Sequence, residues 1–307
     1  MSSTTSQNDS RAHVDHYSKD VPWYDKEPEN FSPACRELLQ NYSHIPPGEV
    51  TSHVLEMVPS PEFTVNFAKL TCAQRERAWA ISPYPCIGRF RFLDLSISLQ
   101  PSYHRILSFL KEPQSHHTLL DLGCCFAQDV RKLVHDGVPS ENLYACDLEQ
   151  SFLDLSYDLF KDENTMKAHL FTTNVFAEDG PLDKLQGKMD VVYTASFLHL
   201  FGWDDQLKIC KRIIKTLKPR KGSTVFGRQM GNLKGQEVPN KSVVGQDSSF
   251  IWLHDVESFT RLWDTAGRET GTKWKTWGAL NDAEGMGTNH WGEKGVQGLR
   301  FEAVRVE

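Results

Sequence analysis

Short apolar runs alternate with amphipathic segments through the middle of the chain, from about residue 117 to residue 227. The apolar runs have the length of buried strands, and the segments over 127–136, 151–159 and 204–217 have the spacing of helices. Strands that alternate with helices form a parallel sheet through right-handed crossovers. The predicted strands are 117–122, 143–146, 168–172, 190–194 and 222–227.

Two more strands are predicted near the C-terminus, at 273–280 and 299–306. They follow a predicted helix over 255–266, for which Asp255 is the expected N-cap. Because a loop without a helix joins the two strands, they can only pair antiparallel. The predicted fold is therefore a doubly wound, Rossmann-like α/β sheet of seven strands, with an antiparallel strand at one end.

The chain before the predicted sheet has a different sequence pattern. Residues 1–20 are polar and aperiodic, which predicts a disordered tail, and residues 21–111 form an N-terminal helical extension before the main domain over 112–307. Two prolines and a glycine at 83–88 predict a turn within the extension. The helices predicted in the extension are 33–42, 48–58, 62–80 and 92–111.

Composition excludes several classes of function. The 307 residues carry 34 Lys and Arg against 40 Asp and Glu, a net charge of −6, without the basic block that a nucleic-acid partner requires. No apolar run approaches the ~20 residues that cross a bilayer. The seven cysteines form no CxxC pair, and the histidines are scattered, so we expect reduced thiols and no metal site. A cytoplasmic protein without membrane insertion is expected.

Small and polar residues follow the first four predicted strands. In such a sheet, ligands bind beyond the carboxyl ends of the strands, where the strand order switches. A glycine there lets the backbone approach a ligand, a carboxylate accepts hydrogen bonds from ribose hydroxyls, and an Asn can bind an adenine edge. The residues concerned are Asp121, Gly123, Cys124, Cys125, Asp147, Leu148, Asn174, Val175, Phe176 and Ser196, with His199 close behind.

This order of signals resembles the class I S-adenosylmethionine-dependent methyltransferases over about residues 112–307. The family's first loop reads acidic-x-Gly-x-Gly-x-Gly, whereas this chain reads Asp121-x-Gly123-x-Cys125-x-Ala127 and keeps one glycine. The resemblance implies that S-adenosylmethionine is the cofactor and that the strand-end residues bind it. We also expect the segment around Tyr17 to Tyr24 to close over the donor, with Tyr24 in contact with it.

The segment over 79–95, together with the loop after the first strand, resembles the methyltransferases of fungal meroterpenoid gene clusters. That resemblance implies a homodimer whose helical extension serves as a lid and in dimerisation. It also implies a methyl ester formed on the carboxylate of a farnesylated, polyketide-derived acid. Such an acid is already an anion at pH 7, so it needs orienting donors rather than a general base.

Two kinds of side chain are candidates for binding the methyl acceptor: local cations that orient its carboxylate, and aromatic residues that line a pocket for an isoprenoid tail. His199 is the candidate catalytic residue, either as a positioning group or as a base for a phenol or amine acceptor, and it could equally be a hydrogen-bonded core residue. A further alternative is a non-catalytic partner protein that keeps the fold but has lost donor binding. The acceptor candidates are Arg89, Arg91, Arg228, His254 and Trp203, with Trp23, Phe90, Phe92, Phe197, Phe250, Trp252 and Trp291 as further aromatic residues.

Overall fold

The computed structural model describes residues 19–21, 23–25, 31–55, 74–240, 250–281 and 294–307. The predicted disordered tail lies almost wholly outside these residues, as do Tyr17 and Trp291. No helix in the described part of the chain is long and apolar enough to cross a membrane. Within the same ranges, no three His, Cys, Asp or Glu side chains come together as metal ligands.

The N-terminal extension consists of short helices. The predicted helix over 33–42 is present, and its second half is a π-helical turn. The helix predicted over 92–111 is wrong, because Leu95 adopts a left-handed backbone (φ 46°) and Pro101 has no N–H for a helix interior. The elements are α1 (Pro33–Glu37) with the π turn Leu38–Tyr42, α2 (Val50–Leu55), α3 (Gln74–Ile81), α4 (Pro85–Gly88), 3₁₀ turns at Arg91–Leu93 and Ser96–Leu99, and α5 (Tyr103–Leu110).

The rest of the chain forms the predicted alternation of strands and helices. Asp255 caps the last helix through a reciprocal pair of hydrogen bonds with Ser258, as expected. The strands are β1 (Leu119–Leu122), β2 (Leu143–Asp147), β3 (His169–Thr172), β4 (Val191–Ala195), β5 (Thr224–Asn232), β6 (Gln236–Pro239), β7 (Phe250–Leu253), β8 (Trp274–Asn281) and β9 (Val296–Arg305). The helices are α6 (Gln128–His135), α7 (Gln150–Phe160), α8 (Trp203–Thr216) and α9 (Val256–Thr270).

Seven strands form one sheet in the order β3-β2-β1-β4-β5-β9-β8, which confirms the predicted Rossmann-like architecture. Strand β9 runs antiparallel to both of its neighbours, and it lies between β5 and the edge strand β8 rather than at the edge itself. The strand order switches between β1 and β4, so their carboxyl ends mark the expected ligand site. The antiparallel pair β6–β7 forms a separate ribbon that the sequence did not predict.

Apolar side chains cover both faces of the sheet. Helices α8 and α9 pack on the face that carries Leu120 and Val192, while α5 and α6 pack on the face that carries Val191 and Tyr193. A further cluster joins the extension to the domain, since Phe92 packs edge-to-face on Phe126 at 4.9 Å between ring centroids. The extension is thus packed directly against the loop that follows β1.

Candidate functional site

The loop after β1, residues 123–127, is called the donor loop here. Gly123 has φ +78°, and a Cβ at this position would lie 2.6 Å from Cδ2 of Phe197. Cys125 and Ala127 also have left-handed backbones, with φ 53° and 48°. The two positions that depart from the family's glycine pattern therefore keep the backbone conformation that glycine favours, at a strain of about 1–3 kcal/mol each.

Hydrogen bonds from the end of β2 hold the donor loop. The N–H groups of Gly123 and Cys124 both donate to the carbonyl of Cys146, at 2.9 and 3.0 Å. The N–H of Cys125 donates to Oδ2 of Asp147 at 2.8 Å, while Oδ1 accepts from the N–H of Glu149 at 3.1 Å. Burial raises the pKa of Asp147, against the lowering effect of these bonds. One carboxylate thus joins the two loops that would surround the donor.

Asp121 lies beneath the donor loop with 2% of its surface exposed. Its Oδ2 atom has no hydrogen-bond partner among the described residues. Burial, then the charges of Asp129 and Asp147, raise the pKa of Asp121 well above its ordinary value. A buried carboxyl group without a partner fits a cationic ligand, and S-adenosylmethionine carries both a sulfonium and an ammonium group.

The neighbouring Asp129 is satisfied within the protein, unlike Asp121. Its carboxylate accepts from the N–H of Ile97 at 3.0 Å and from the hydroxyl of Ser96 at 3.1 Å. Ser96 in turn shares a 2.7 Å hydrogen bond with the hydroxyl of Tyr193. The 3₁₀ turn of the extension that contains these residues is therefore joined to both α6 and β4.

The ends of β2 and β3 present apolar side chains to solvent. Leu148 is 57% exposed and Phe176 is 37% exposed, while Val175 is buried. Oδ1 of Asn174 accepts from the N–H of Phe176 at 2.9 Å, so this Asn closes a turn. The ring of Phe176 packs edge-to-face on Phe201 at 5.4 Å. The exposed apolar surface offers a wall on which an adenine ring could pack.

The N-terminal extension reaches the donor side through α4. The N–H of Asp25 donates to the carbonyl of Gly88 at 3.0 Å, and the ring of Tyr24 packs edge-to-face on Trp79 at 4.8 Å. Tyr24 belongs to the apolar cluster that also contains Cys125 and Phe126 of the donor loop. The contact of Tyr24 with the donor stays a prediction.

Tyr84 and Cys86 of the extension are candidate site residues that the sequence analysis missed. Tyr84 is 39% exposed, and its pKa is raised by burial and by the charges of Glu149 and Asp147. The interaction between the thiols of Cys86 and Cys125 lowers the pKa of Cys86 and raises that of Cys125. Cys124, in contrast, is buried among apolar residues, and burial raises its pKa. The one available signal was an aromatic residue and a cysteine around the prolines of the 83–88 turn.

His199 lies in the 3₁₀ turn Leu198–Leu200, which follows β4. It is buried, and its Nδ1 accepts a long 3.4 Å hydrogen bond from the N–H of Met230, which places the ring proton on Nε2. Burial and the positive charge of Arg228 lower the pKa of His199 to about 4. The imidazole is therefore neutral at pH 7 and available as an N–H donor.

Arg228 was expected just past the fifth strand, but β5 continues to Asn232 and contains it. Its carbonyl accepts from the N–H of Ser196 at 2.8 Å, where Ser196 has φ 53°. Its guanidinium donates to Asp94 at 3.3 Å, an acceptor that it shares with Arg91. Arg89 follows α4 and is half-buried. The strand and the extension thus bring cations to the same region.

His254 is buried, and Trp203 is half-buried beside it, with 5.5 Å between the two ring centroids. His254 is fully buried, and its two ring nitrogens contact Ser258 Oγ at 2.9 Å and Gln206 Oε1 at 3.1 Å. The prediction that His254 orients a substrate is therefore wrong, since neither nitrogen is left for a ligand. Trp203 packs edge-to-face on Trp252 at 5.1 Å.

Comparisons with known proteins agree with this geometry. A family model described as the N-terminal domain of meroterpenoid methyltransferases matches residues 23–93, and one described as a methyltransferase domain matches residues 119–220. The O-methyltransferase atr3 of Stereocaulon alpinum is 43% identical over 94% of this chain and 77% of its own length. The Asnovolin E/Chermesin D methyltransferase nvfJ of Aspergillus novofumigatus is 37% identical over 78% of each chain.

Among solved structures, the chain is similar to phosphoethanolamine N-methyltransferase 2 of Haemonchus contortus in complex with S-adenosylhomocysteine. The sequence identity is 15% and the TM-score is 0.49, over 77% of this chain and 61% of that one. The identity to these relatives, over more than two thirds of each chain, establishes the family. The buried carboxyl group of Asp121 and the glycine-like donor loop fit its cofactor. The chain belongs to the family of S-adenosylmethionine-dependent methyltransferases that includes the fungal meroterpenoid O-methyltransferases.

Proposed function

We propose that this methyltransferase esterifies the carboxylate of a farnesylated, polyketide-derived acid, in keeping with the family's O-methylation in fungal secondary metabolism. The observation that carries the proposal is the state of His199, whose pKa is lowered to about 4. Moving a proton from a phenol of pKa ~10 to such an imidazole is uphill by about 6 pKa units, or roughly 8 kcal/mol. A carboxylate acceptor avoids this barrier because it brings no proton.

The bound donor supplies an electrophilic methyl group on a sulfonium centre. Asp121 would pair with the positive charge of the donor, and the donor loop would fix the direction of the sulfur–methyl bond. The Nε2–H of His199 and the guanidinium of Arg228 would orient the carboxylate for in-line attack. The carboxylate oxygen forms a bond to the methyl carbon as the electron pair of the sulfur–carbon bond returns to sulfur, and no proton moves.

Apolar surroundings favour this reaction. An anion and a cation combine into two neutral groups, so charge is lost along the reaction path and a partly dry pocket favours it. The extension, which packs on the donor loop through Phe92 and Phe126, would exclude water from the site. We propose that the extension over 21–111 acts in this way as a lid over the domain at 112–307.

The test is product analysis with labelled S-adenosylmethionine and a panel of prenylated acids. We expect an alkali-labile methyl ester and a kcat that is flat above about pH 6, because the acid is already ionised there. The methyl ester of the same acid serves as a matched control and should accept no label. An alkali-stable ether or amine, or a rate that climbs with pH, would replace the proposal by the phenol or amine alternative. Absence of donor binding in calorimetry would point to a non-catalytic protein.

The homodimer implied by the family resemblance is also a proposal. Light scattering coupled to size-exclusion chromatography would measure the mass in solution against the 35.0 kDa of one chain. We expect twice that mass. A single-chain mass at micromolar concentration would contradict it.

A further inference from the structure

Arg131, on α6, is fully buried and contacts the donor loop from behind. Its Nη1 donates to the carbonyl of Phe126 at 2.8 Å and to the carbonyl of Ala127 at 3.4 Å. Its ring neighbours are Phe160 and Tyr157, whose centroids lie 4.6 and 5.5 Å from the guanidinium carbon. The guanidinium is thus fixed in one orientation by aromatic rings, with one nitrogen directed at the loop backbone.

The other nitrogens of Arg131 bind one carboxylate. Nε donates to Oδ2 of Asp162 at 2.8 Å and Nη2 donates to Oδ1 at 2.9 Å, so the pair is bidentate and buried. Asp162 follows the end of α7. Removing one partner of such a pair leaves an uncompensated buried charge, so the guanidinium and the carboxylate constrain each other.

A third residue connects this pair to the N-terminal extension. The hydroxyl of Tyr42, at the end of the π turn, donates to Oδ2 of Asp162 at 2.7 Å. Burial and the Asp162 charge raise the pKa of Tyr42 above its ordinary value, so the phenol stays protonated and remains a donor. Hydrogen bonds therefore run without interruption from the extension, through Asp162 and Arg131, to the carbonyls of the donor loop.

The donor loop needs such support. Ala127 has a left-handed backbone without being a glycine, and its own carbonyl is one of the two that Arg131 binds. The loop sequence alone does not favour this conformation, since two of the family's three glycines are absent. Contacts from outside the loop must therefore hold it in the geometry that binds the donor.

We infer that Tyr42, Asp162 and Arg131 are positioning residues through which docking of the N-terminal extension sets the affinity of the donor loop for S-adenosylmethionine. The inference rests on donor binding alone and is independent of the acceptor. The hydroxyl of Tyr42 is the only group of the three that belongs to the extension. Its removal should loosen the donor loop while the ion pair behind it stays intact.

The test is Tyr42→Phe, which removes one hydroxyl and keeps the ring. We expect the Kd for S-adenosylhomocysteine and the KM for S-adenosylmethionine to rise about three- to tenfold, with kcat at saturating donor unchanged within twofold. Hydrogen exchange of the amides at 123–127 should also accelerate. A general loss of folding would instead lower kcat and the amount of active enzyme at unchanged affinity, so the two effects are separable.

Tyr157→Phe is the matched control, because it removes a hydroxyl from a ring that packs on the same guanidinium and keeps the hydrogen bonds described above. We expect unchanged donor affinity in this control. Arg131→Lys keeps the positive charge but loses the bidentate contact with Asp162. If this variant folds, it should raise the Kd for S-adenosylhomocysteine more than Tyr42→Phe does. Unchanged donor affinity and unchanged exchange at 123–127 in Tyr42→Phe would overturn the inference, whatever Arg131→Lys does.

Discussion

The backbone N–H of Cys125 donates to Oδ2 of Asp147 at 2.8 Å, so that the carboxylate at the end of β2 holds the loop after β1. The same carboxylate accepts the N–H of Glu149 through its other oxygen. A residue expected from sequence to bind a ribose therefore also shapes the loop beside it. Each carboxylate oxygen keeps a second lone pair that can accept from a ribose hydroxyl of S-adenosylmethionine.

Replacing Asp147 should weaken donor binding through both effects. In Asp147→Asn, one oxygen becomes an NH₂ group that opposes a backbone N–H, so one of the two loop contacts is lost. We expect the Kd for S-adenosylhomocysteine to rise at least tenfold in calorimetry. Glu149→Gln is the control, because the contact of Glu149 with Asp147 uses its backbone, and it should change the Kd less than threefold. Equal affinities of Asp147→Asn and the parent would rule out this role.

Donor binding should release a proton from Asp121. Because burial raises the pKa of this carboxyl group in the unliganded protein and a bound cation lowers it, donor binding shifts the group towards its ionised form. Calorimetry in buffers with different ionisation enthalpies measures this proton directly. We expect Asp121→Asn to abolish the release and to raise the Kd for S-adenosylmethionine more than tenfold. Binding enthalpies that do not depend on the buffer in the parent would contradict the assignment.

The same raised pKa predicts the stability of the unliganded protein. A carboxyl group with a raised folded pKa stabilises the protein fully below its unfolded pKa, and this contribution is lost as the pH rises through the folded pKa. Near pH 7, Asp121→Asn should therefore unfold at a temperature equal to or above that of the parent. A markedly lower Tm would show that Asp121 has a structural partner.

The left-handed backbone of Cys125 predicts unequal effects of two substitutions at one position. Glycine relieves the strain but adds freedom to the unfolded chain, so Cys125→Gly should change the free energy of unfolding by less than about 1 kcal/mol. A β-branched side chain is poorly tolerated at positive φ, so Cys125→Val should destabilise by about 2 kcal/mol or more. Urea unfolding measures both, with Cys125→Ser as the near-isosteric control. Equal effects of Gly and Val would exclude backbone strain as the cause.

The alternation of strands and helices was sufficient to predict the sheet, because burial on both faces requires continuous apolar strands. The donor loop shows where such reasoning ends. Its motif predicted the cofactor, but the contacts that Asp147 and Arg131 make with the loop cannot be read from that motif. The broken helix at Pro101 was visible in the sequence, whereas the buried positions of His254 and Gln229 depend on packing of β5 and β7 that no local pattern reports.

Acid should destabilise the protein through His199. Its folded pKa of about 4 lies below the unfolded value of 6.5, so its contribution to stability is present above pH 6.5 and is lost as the pH falls through 4. A shift of this size corresponds to about 3 kcal/mol at most. Urea unfolding between pH 7 and pH 4 should show a smaller loss of stability in His199→Gln than in the parent. His104→Gln, on the exposed face of α5, should behave like the parent. Parallel pH curves for all three would contradict the lowered pKa.

Two buried glutamines provide the sharpest contrast in the molecule. Both side chains are fully buried. The amide of Gln206 forms hydrogen bonds with the carbonyls of Phe201 and Trp252 and with the ring of His254. Neither amide atom of Gln229 has a hydrogen-bond partner among the described residues. Gln229 follows Arg228 in β5, so the two side chains point to opposite faces of the sheet. A buried amide without partners is unfavourable in the unliganded protein, by about 1–3 kcal/mol.

Gln229→Leu should therefore unfold at higher urea concentration than the parent, while Gln206→Leu should lose about 3 kcal/mol or more because it removes three buried hydrogen bonds. If the Gln229 amide is retained to bind the acceptor, Gln229→Leu should also lower kcat/KM for the acid about tenfold and leave the Kd for S-adenosylmethionine unchanged. The two measurements separate a binding role from a structural one. If the amide had a structural role, replacing it would lower stability and leave the kinetics with the methyl acceptor unchanged in the folded enzyme. A stabilised variant with full activity would show that Gln229 serves neither purpose.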